Sequence, residues 1–421
     1  MSLRSLSAGL ARSARLKPRR QHSSSASKPI VILGLESSAD DSCASVVTSD
    51  RQILSNVVVK QSAIHESFGG IHPLHAQEAH QRNLPIAIRS ALVEANVELN
   101  DLDAIAFTRG PGMYGCLSVC AGAAKALAAA SKKPLIGVHH MQAHALTPFL
   151  TATESNPAPE FPFLTLLVSG GHTLLLLATA RERFEVLATT KDESIGQAFD
   201  KVARDLHIPW QLGQGSPGAA LEHFAFNSST AVRADSESSL LEVNEPRPEF
   251  PIPFKGQLAF SYAGIRSALT RIISRHEQAR GSIETMPIHQ RQALAKAFMV
   301  SAFAQIEDKL NLGLKKLQTE RGVEVKGLVV SGGVASNLYF RTSLQSKLDR
   351  LAQANSTRPI PLHFPPAHLC TDNAAMIAWV GIERFKFGRI DRMEHVMQQS
   401  KWSIEECESE FLVGTEPPAA L

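Results

Sequence analysis

Two histidines stand four residues apart in VHHMQAH, residues 138–144: His140 and His144. On a helix, positions i and i+4 share a face, so both imidazoles can reach one ion. Far along the chain, LCTDNAAMIA places a carboxylate, Asp372, at the mouth of an apolar stretch. Two imidazoles and one carboxylate leave coordination positions open for substrate oxygens. Such a centre suits Lewis-acid work on a phosphate or a carbonyl. The residue after His140 is Met141, so the glutamate of the zincin pattern HExxH is missing and a protease is disfavoured. On spacing alone, an ordinary pair of core or surface histidines stays the competing reading. A second group, His65, His72, His75 and His80, reads as a polar loop leading into a helix.

Two strand–Ser–Gly–Gly turns lie downstream of the histidine pair. Ser169, Gly170 and Gly171 follow LTLLV; Ser331, Gly332 and Gly333 follow GLVV. Glycine lets backbone amides approach a phosphate or a base without Cβ interference. The second turn leads into a predicted helix, whose N-terminus favours anions. A metal beside phosphate-cradling turns points to chemistry on a nucleotide, although each turn taken alone could be a simple tight turn. The segment ESSADDS crowds Glu36, Asp40 and Asp41 between two strands. Crowded carboxylates raise one another's pKa and mark functional turns, with an exposed acidic hairpin as the alternative. Asp200, in GQAFDKVARDL, falls within a predicted helix start, where a carboxylate could bind a ribose hydroxyl or an amine, with a capped or solvated helix turn beside Lys201 as the alternative. Gly218 sits at a turn in QGSPGAALEHF, with Glu222 one helical turn later.

The elements that must position these residues alternate between strand and helix. IVILGLESSADDSCASVV reads as strand, polar turn, strand, and FPFLTLLVSGGHTLLLLAT repeats that form. LDAIAFTRGPGMYGCLSVCAGAAKALAAA is a strand, a Gly-Pro-Gly loop and an Ala-rich helix from about Leu117. KPLIGVHHMQAHAL is a short strand running into the histidine helix. Two such hairpins, each opening a run of strands and helices, predict a duplicated α/β architecture. Actin-like (ASKHA) two-lobed proteins are built this way, with nucleotide and metal in the cleft between the lobes. The expected division is lobe I over residues 30–145 and lobe II over 146–368, with an irregular excursion at 224–257. C-terminal helices over 369–410 return to lobe I, and 411–421 form a flexible tail.

The net charge of +3 demands no nucleic-acid partner globally, though a local basic groove fits it. Arg109, Lys255, Arg266, Arg271 and Arg275 are candidates for such a groove, against the alternative of ordinary solvated charge. The five cysteines form no CxxC pair and read as reduced thiols. No apolar run approaches the roughly 20 residues needed to span a bilayer, so no membrane association is expected. Residues 1–29 carry five arginines, many serines and no acid, with Leu3, Leu6 and Leu10 on one helical face. That composition predicts a mitochondrial transit peptide, and hence the matrix; a basic RNA-binding tail is the alternative.

In order along the chain, these motifs resemble one family, the tRNA N6-adenosine threonylcarbamoyltransferases, formerly called O-sialoglycoprotein endopeptidases. ESSADDS, HESFGGIHPLHAQEAH, TRGPGMYGCL, HMQAH, LVSGGHT, GQAFDKVAR, VSGGVASN and CTDNAAMIA are all similar to its signatures, covering about Ile30 to Gly381. With the leader, the chain resembles the mitochondrial branch, which implies action without a multi-subunit assembly and, we expect, as a homodimer. The resemblance implies one divalent metal cation per subunit, Zn or Fe, on His140, His144 and Asp372. It implies adenylate binding by Leu167, Val168, Ser169, Gly170, Gly171, Asp200, Gly218, Glu222 and Asn337. The implied reaction moves a threonylcarbamoyl group from threonylcarbamoyl-adenylate, supplied by a separate synthase, to N6 of adenosine 37. The tRNAs concerned are mitochondrial ones reading codons that begin with adenine, and AMP leaves. Asp40 and Asp41 are the candidates for the base that takes the amine proton.

The chain departs from the family pattern at Ala39, where the family has Cys, and at Gln197, where it has Glu. LAFSYAGIRS matches its counterpart only loosely. Two rival classes predict different behaviour: an actin-like metabolite kinase or ATPase would turn over ATP without tRNA, and a nucleotide-switched scaffold would tolerate loss of Asp372.

Overall fold

The structure, a computed structural model, describes residues 28–65, 68, 70–209, 216–226, 250–355 and 357–408. The tail expected at 411–421, nearly all of the leader at 1–29, and residues 227–249 of the excursion lie outside the described residues.

The first lobe is a five-stranded sheet. Its strands are β1 (Val31–Glu36), β2 (Ser42–Thr48), β3 (Ile53–Val59), β4 (Ala104–Gly110) and β5 (Leu135–His139). The helices are α1 (Ser62–His65), α2 (Pro73–Ala95), α3 (Tyr114–Ser131) and α4 (His140–Leu150). The second lobe has β6 (Phe163–Val168), β7 (Thr173–Ala180), β8 (Arg183–Thr190), β9 (Ala259–Phe260), β10 (Leu328–Ser331) and β11 (Leu362–His363). Its helices are α5 (Ile195–Asp205), α6 (Pro217–Phe226), α7 (Ala263–Arg280), α8 (Ile288–Arg321), α9 (Leu338–Asn355) and α10 (Ala367–Cys370). The last helix is α11 (Ala374–Lys386).

The sheet orders establish the duplication. The first reads β3-β2-β1-β4-β5 and the second β11-β10-β6-β7-β8-β9. In each, three antiparallel strands form a meander, and two later strands add in parallel beside the first strand of that meander. The parallel strands β6 and β10 pair in register, Leu167 opposite Ser331, so both Ser-Gly-Gly turns emerge at one end of the sheet. Ligands of open α/β sheets bind at the carboxyl ends of such strands.

Burial explains the sequence pattern. β1 is buried along its whole length because helices cover both faces. Val31, Leu33 and Leu35 point to the layer of α2 and α3, while Ile32 points to the layer of α4 and α11. That second layer also takes Phe163, Leu167, Leu174 and Leu176 from the other sheet, so α4 and α11 are wedged between the lobes. The expected lobe boundary after residue 145 falls inside α4.

Three local expectations need correction. α3 begins at Tyr114, not near Leu117, because the chain leaves the Gly-Pro-Gly loop with Met113 extended as the N-cap. Asp200 lies well inside α5, not at its start, since the helix is capped earlier by Ser194, whose hydroxyl accepts the Gln197 N–H. The second glycine turn passes through a 3-10 turn, Gly333–Ser336, before α9 begins. α3 is also long and apolar enough, by composition, to cross a bilayer. It lies instead against α2 and β4, with Cys116, Leu117, Cys120, Ala121, Ala124 and Ala128 buried.

α11 can lie this close to β1 only because residue 34 is glycine. A Cβ there would sit 2.4 Å from the Ala374 carbonyl oxygen and 2.6 Å from the Ala378 nitrogen. The Gly34→Ala variant is therefore expected to lose about 1–3 kcal/mol of stability, as overpacking does. Denaturant unfolding measures this; an unchanged midpoint would show that the α11–β1 contact is not tight.

Candidate active site and metal centre

The strand–helix junction at residue 139 aims the histidine pair. β5 ends at His139, whose side chain caps α4 by accepting the Met141 N–H. Its Nε2 lies 3.1 Å from the Trp402 carbonyl, so this wholly buried imidazole serves the fold and not the cluster. Burial pushes its pKa down to about 3, keeping it neutral. His140 and His144 follow on one face of α4, their rings 4.8 Å apart and nearly perpendicular.

Asp372 arrives from the other direction. Asn373 caps α11 by accepting the Met376 N–H, which leaves Asp372 just outside the helix start. Its Oδ1 lies 3.1 Å from His144 Nε2 and 3.5 Å from His140 Nε2. One donor atom from each of the three residues falls within 4.8 Å of the other two. Two nitrogens and one carboxylate oxygen in mutual reach, largely buried, could hold a metal ion, and the donor set fits a first-row or zinc-like cation. Among the described residues this is the only such group. The histidines at 65, 72, 75 and 80 do not join it. His80 is buried between Ser42 and the Ala39 carbonyl, His65 contacts Gln61, and the rings of His72 and His75 pack at a tilt against Phe68 and each other.

The charges around the cluster are arranged by burial and by one another. Burial alone would lower the pKa of His140, but the carboxylates of Glu36 and Asp372 outweigh it and push it up to about 9. Burial likewise opposes the charge of Asp372, yet His140 and the hydrogen bond with His144 hold its carboxyl below the usual range. His144 is shifted down, chiefly by burial. His172, at the end of the first glycine turn, is pushed down to about 4 by burial and by His140. It is close enough to feel all three donor residues. Sequence reading missed it; its place in LVSGGHT was the available signal.

Asp40 and Asp41 occupy the turn between β1 and β2. Burial and the charge of Asp372 raise Asp40 to about 6. Burial and the charge of Asp40 raise Asp41 to about 8. The acidic turn is thus not an exposed hairpin, and it faces the cluster. His80 holds it from behind, its ring nitrogens 2.7 Å from Ser42 Oγ and 3.0 Å from the Ala39 carbonyl.

The glycine turns meet. At Gly332, where φ is +100°, a Cβ would lie 2.3 Å from the Val168 carbonyl oxygen, so only glycine fits. Gly332 N–H donates to the Cys370 carbonyl at 3.1 Å, tying this turn to the segment that carries Asp372. Above Gly170 and Gly171 there is open space. Ser169 Oγ accepts the N–H groups of Gly171 and His172, while Leu167 and Val168 are buried beneath the turn. Asp200 Oδ1 accepts the Gly218 N–H at 2.8 Å, and burial raises the Asp200 pKa. Glu222 accepts the Leu338 N–H at the start of α9. Asn337 accepts the Phe340 N–H. Of the predicted nucleotide residues, Asp200 and Gly218 are thus bonded to each other, while Glu222 and Asn337 already serve as caps of α9.

Two of the basic candidates belong to the fold. Arg109 donates to the Met397 carbonyl and lies over the Trp402 ring, and Arg266 pairs with the buried Glu193. Lys255, Arg271 and Arg275 are exposed. All five cysteines are free and buried.

A duplicated two-lobed α/β fold with a triad that could hold a metal ion and two glycine turns at the ends of its strands is an actin-like architecture. The family model described as "TsaD: tRNA N6-adenosine threonylcarbamoyltransferase" matches residues 52–379. A protein of Rhizobium johnstonii named tRNA N6-adenosine threonylcarbamoyltransferase is 38% identical over 391 residues, covering 91% of this chain and 96% of its own. An Arabidopsis thaliana protein named as a probable mitochondrial form is 36% identical over 366 residues, 86% of this chain and 70% of its own. Among solved structures, component A of the (R)-2-hydroxyglutaryl-CoA dehydratase of Acidaminococcus fermentans aligns with a TM-score of 0.44 at 13% identity, covering 84% of this chain and 98% of that one. The chain belongs to the tRNA N6-adenosine threonylcarbamoyltransferase family, and it is a transferase whose substrate is tRNA.

Asp41 makes stability depend on pH. Its folded pKa lies above that of an unfolded aspartate, so the folded state holds a proton the unfolded chain has released. The resulting stability is present below about pH 4 and is lost as pH rises through about 8. The Asp41→Asn variant should melt at a higher temperature than the wild type at pH 9 and at the same temperature near pH 4. Equal differences at both pH values would contradict the shift.

Proposed function

We propose that the chain transfers the threonylcarbamoyl group of threonylcarbamoyl-adenylate to N6 of adenosine 37 in mitochondrial tRNAs that read codons beginning with adenine, releasing AMP. The observation that carries this reading is the convergence of His140, His144 and Asp372 beside the two glycine turns, in a chain of this family. The adenylate is made by a separate synthase, and the enzyme acts as a homodimer in the mitochondrial matrix. The name of the Arabidopsis relative and the Arg-rich, acid-free N-terminal composition support that location.

His140, His144 and Asp372 would hold one divalent cation, zinc or iron. When bound, that cation supplies electrophilic stabilisation for charge developing on the carbamoyl and phosphate oxygens. The chain's own groups do the rest. Gly170 and Gly171 leave open space for the adenylate over the floor of Leu167, Val168 and Ser169. Gly332 brings the second turn against Val168, closing the floor. Asp200, raised by burial and held by the Gly218 N–H, faces the ribose, with Glu222 and Asn337 fixing the start of α9 beside it. The exocyclic amine of adenosine attacks the carbamoyl carbon, its N–C bond forms, and the carbamoyl–phosphate oxygen bond breaks to release AMP. The amine is a weak nucleophile because its lone pair is delocalised into the ring, so its proton must be taken during attack. Asp40 and Asp41, raised to about 6 and about 8, are poised near neutrality for that transfer.

Reconstitution with tRNA, ATP, threonine, bicarbonate and an adenylate-forming enzyme tests the function. Nucleoside mass spectrometry should show threonylcarbamoyladenosine with this protein and none with the His140→Ala variant or after chelation. ATP turnover without tRNA, and no modified adenosine, would instead establish a kinase or ATPase.

Affinity for tRNA should fall steeply with salt. Each phosphate contact contributes about 0.9 to the log–log slope for a duplex and about 0.7 for single strands. Replacing Lys255, Arg271 and Arg275 together by Ala should flatten that slope, read by filter binding across a salt series. An unchanged slope would place the tRNA elsewhere.

A further inference from the structure

Glu36 is a wholly buried carboxylate that touches the cluster without belonging to its three donors. It ends β1, and its own lobe holds both of its oxygens. Oε1 accepts the Ser38 N–H at 2.6 Å. Oε2 accepts the hydroxyl of Thr108, which stands on the neighbouring parallel strand β4. The same Oε2 lies 3.1 Å from His140 Nδ1, and Ser38 Oγ lies 3.3 Å from that nitrogen.

A carboxylate cannot donate, so this contact places a proton on Nδ1. His140 then keeps Nε2 as the atom that faces Asp372, 3.5 Å away. His144 is presented in the same sense: its Nδ1 lies 3.3 Å from Ser331 Oγ and its Nε2 3.1 Å from Asp372 Oδ1. The two histidines thus offer equivalent nitrogens from supports of different charge. Lobe I backs His140 with an anion, and lobe II backs His144 with a neutral hydroxyl. A dication among two neutral imidazoles and Asp372 keeps one unit of positive charge, which is costly where solvent is excluded. The charge of Glu36 cancels it.

We propose that Glu36 is a positioning residue for the metal centre: it fixes the tautomer and ring orientation of His140 and, with Asp372, neutralises the bound dication. Carboxylate–histidine–metal relays of this kind typically set metal affinity by 10–100-fold. Thr108 extends the relay by one step, since its hydroxyl holds the oxygen that faces His140. The proposal rests on the metal-centre reading above.

The test uses the full chain, stripped of metal and titrated with Zn2+ against a chromophoric chelator, and in parallel with Co2+ followed by its visible ligand-field absorption. Glu36→Gln keeps the shape and removes the charge. It should weaken Zn2+ binding by about 10–100-fold and alter the Co2+ spectrum, with the metal-free melting temperature within a few degrees of wild type. Thr108→Val should weaken binding by a smaller factor, and it carries the test alone if Glu36→Gln does not fold. Wild-type Zn2+ affinity and an unchanged Co2+ spectrum in the variant that folds would overturn the role of Glu36. His140→Ala separates the two readings. If His140→Ala loses Zn2+ and Glu36→Gln does not, only the Glu36 proposal fails. If His140→Ala binds Zn2+ as tightly as the wild type, the metal centre itself is wrong and the proposal falls with it.

Discussion

The seam between α4 and α11 is the contact on which the rest of this molecule depends. One helix carries His140 and His144, and the other begins one residue after Asp372 and its cap, Asn373. Both are wedged between the two sheets, where apolar side chains from either lobe cover them. Their burial stabilises the lobes together and also sets the spacing of three polar donors. A site built this way is rigid because moving one donor means moving a packed helix. Gly34 is the clearest sign of that constraint, since no side chain fits at that position between β1 and α11.

Around the seam, duplication supplies two similar ends and divergence gives them different work. In lobe I the segment of the first hairpin carries three carboxyl groups, Glu36, Asp40 and Asp41. In lobe II the equivalent turn carries Ser169, Gly170 and Gly171, with open space above the two glycines. One fold motif thus yields an acidic turn in one lobe and a neutral glycine turn in the other, each near the cluster. Partial burial and the neighbouring carboxylates raise Asp40 to about 6 and Asp41 to about 8. The ionised form of such a carboxyl is a stronger base than that of an exposed aspartate, whose pKa is lower.

The C-terminal segment joins the same system from outside. Trp402 takes the hydrogen bond of His139 and lies under Arg109, while Gln399 donates to the Arg109 carbonyl. Glu405 and Glu408 then reach β8 in the other lobe, through the Val186 N–H and the Arg183 guanidinium. Basic side chains that sequence reading set aside for tRNA are therefore partly committed to holding the lobes and the cap of α4.

The sequence by itself determined the alternation of strands and helices, the two hairpins, the donor types and the helical spacing of the histidine pair. Each follows from local periodicity, and an i, i+4 pair needs no tertiary information to share a face. The ordered motifs were enough to point to the family. Only the tertiary structure decided that Asp372 meets His140 and His144, since the residues between them form an entire lobe. It decided that the acidic turn is half-buried, that His80 and His139 serve the fold, and that Glu222 and Asn337 cap α9. It also revealed Glu36 behind His140, which had read as one acid among three. The physical reason is the same in each case. Spacing fixes which face a side chain shares, but what lies across from that face is chosen by packing between segments far apart in the chain.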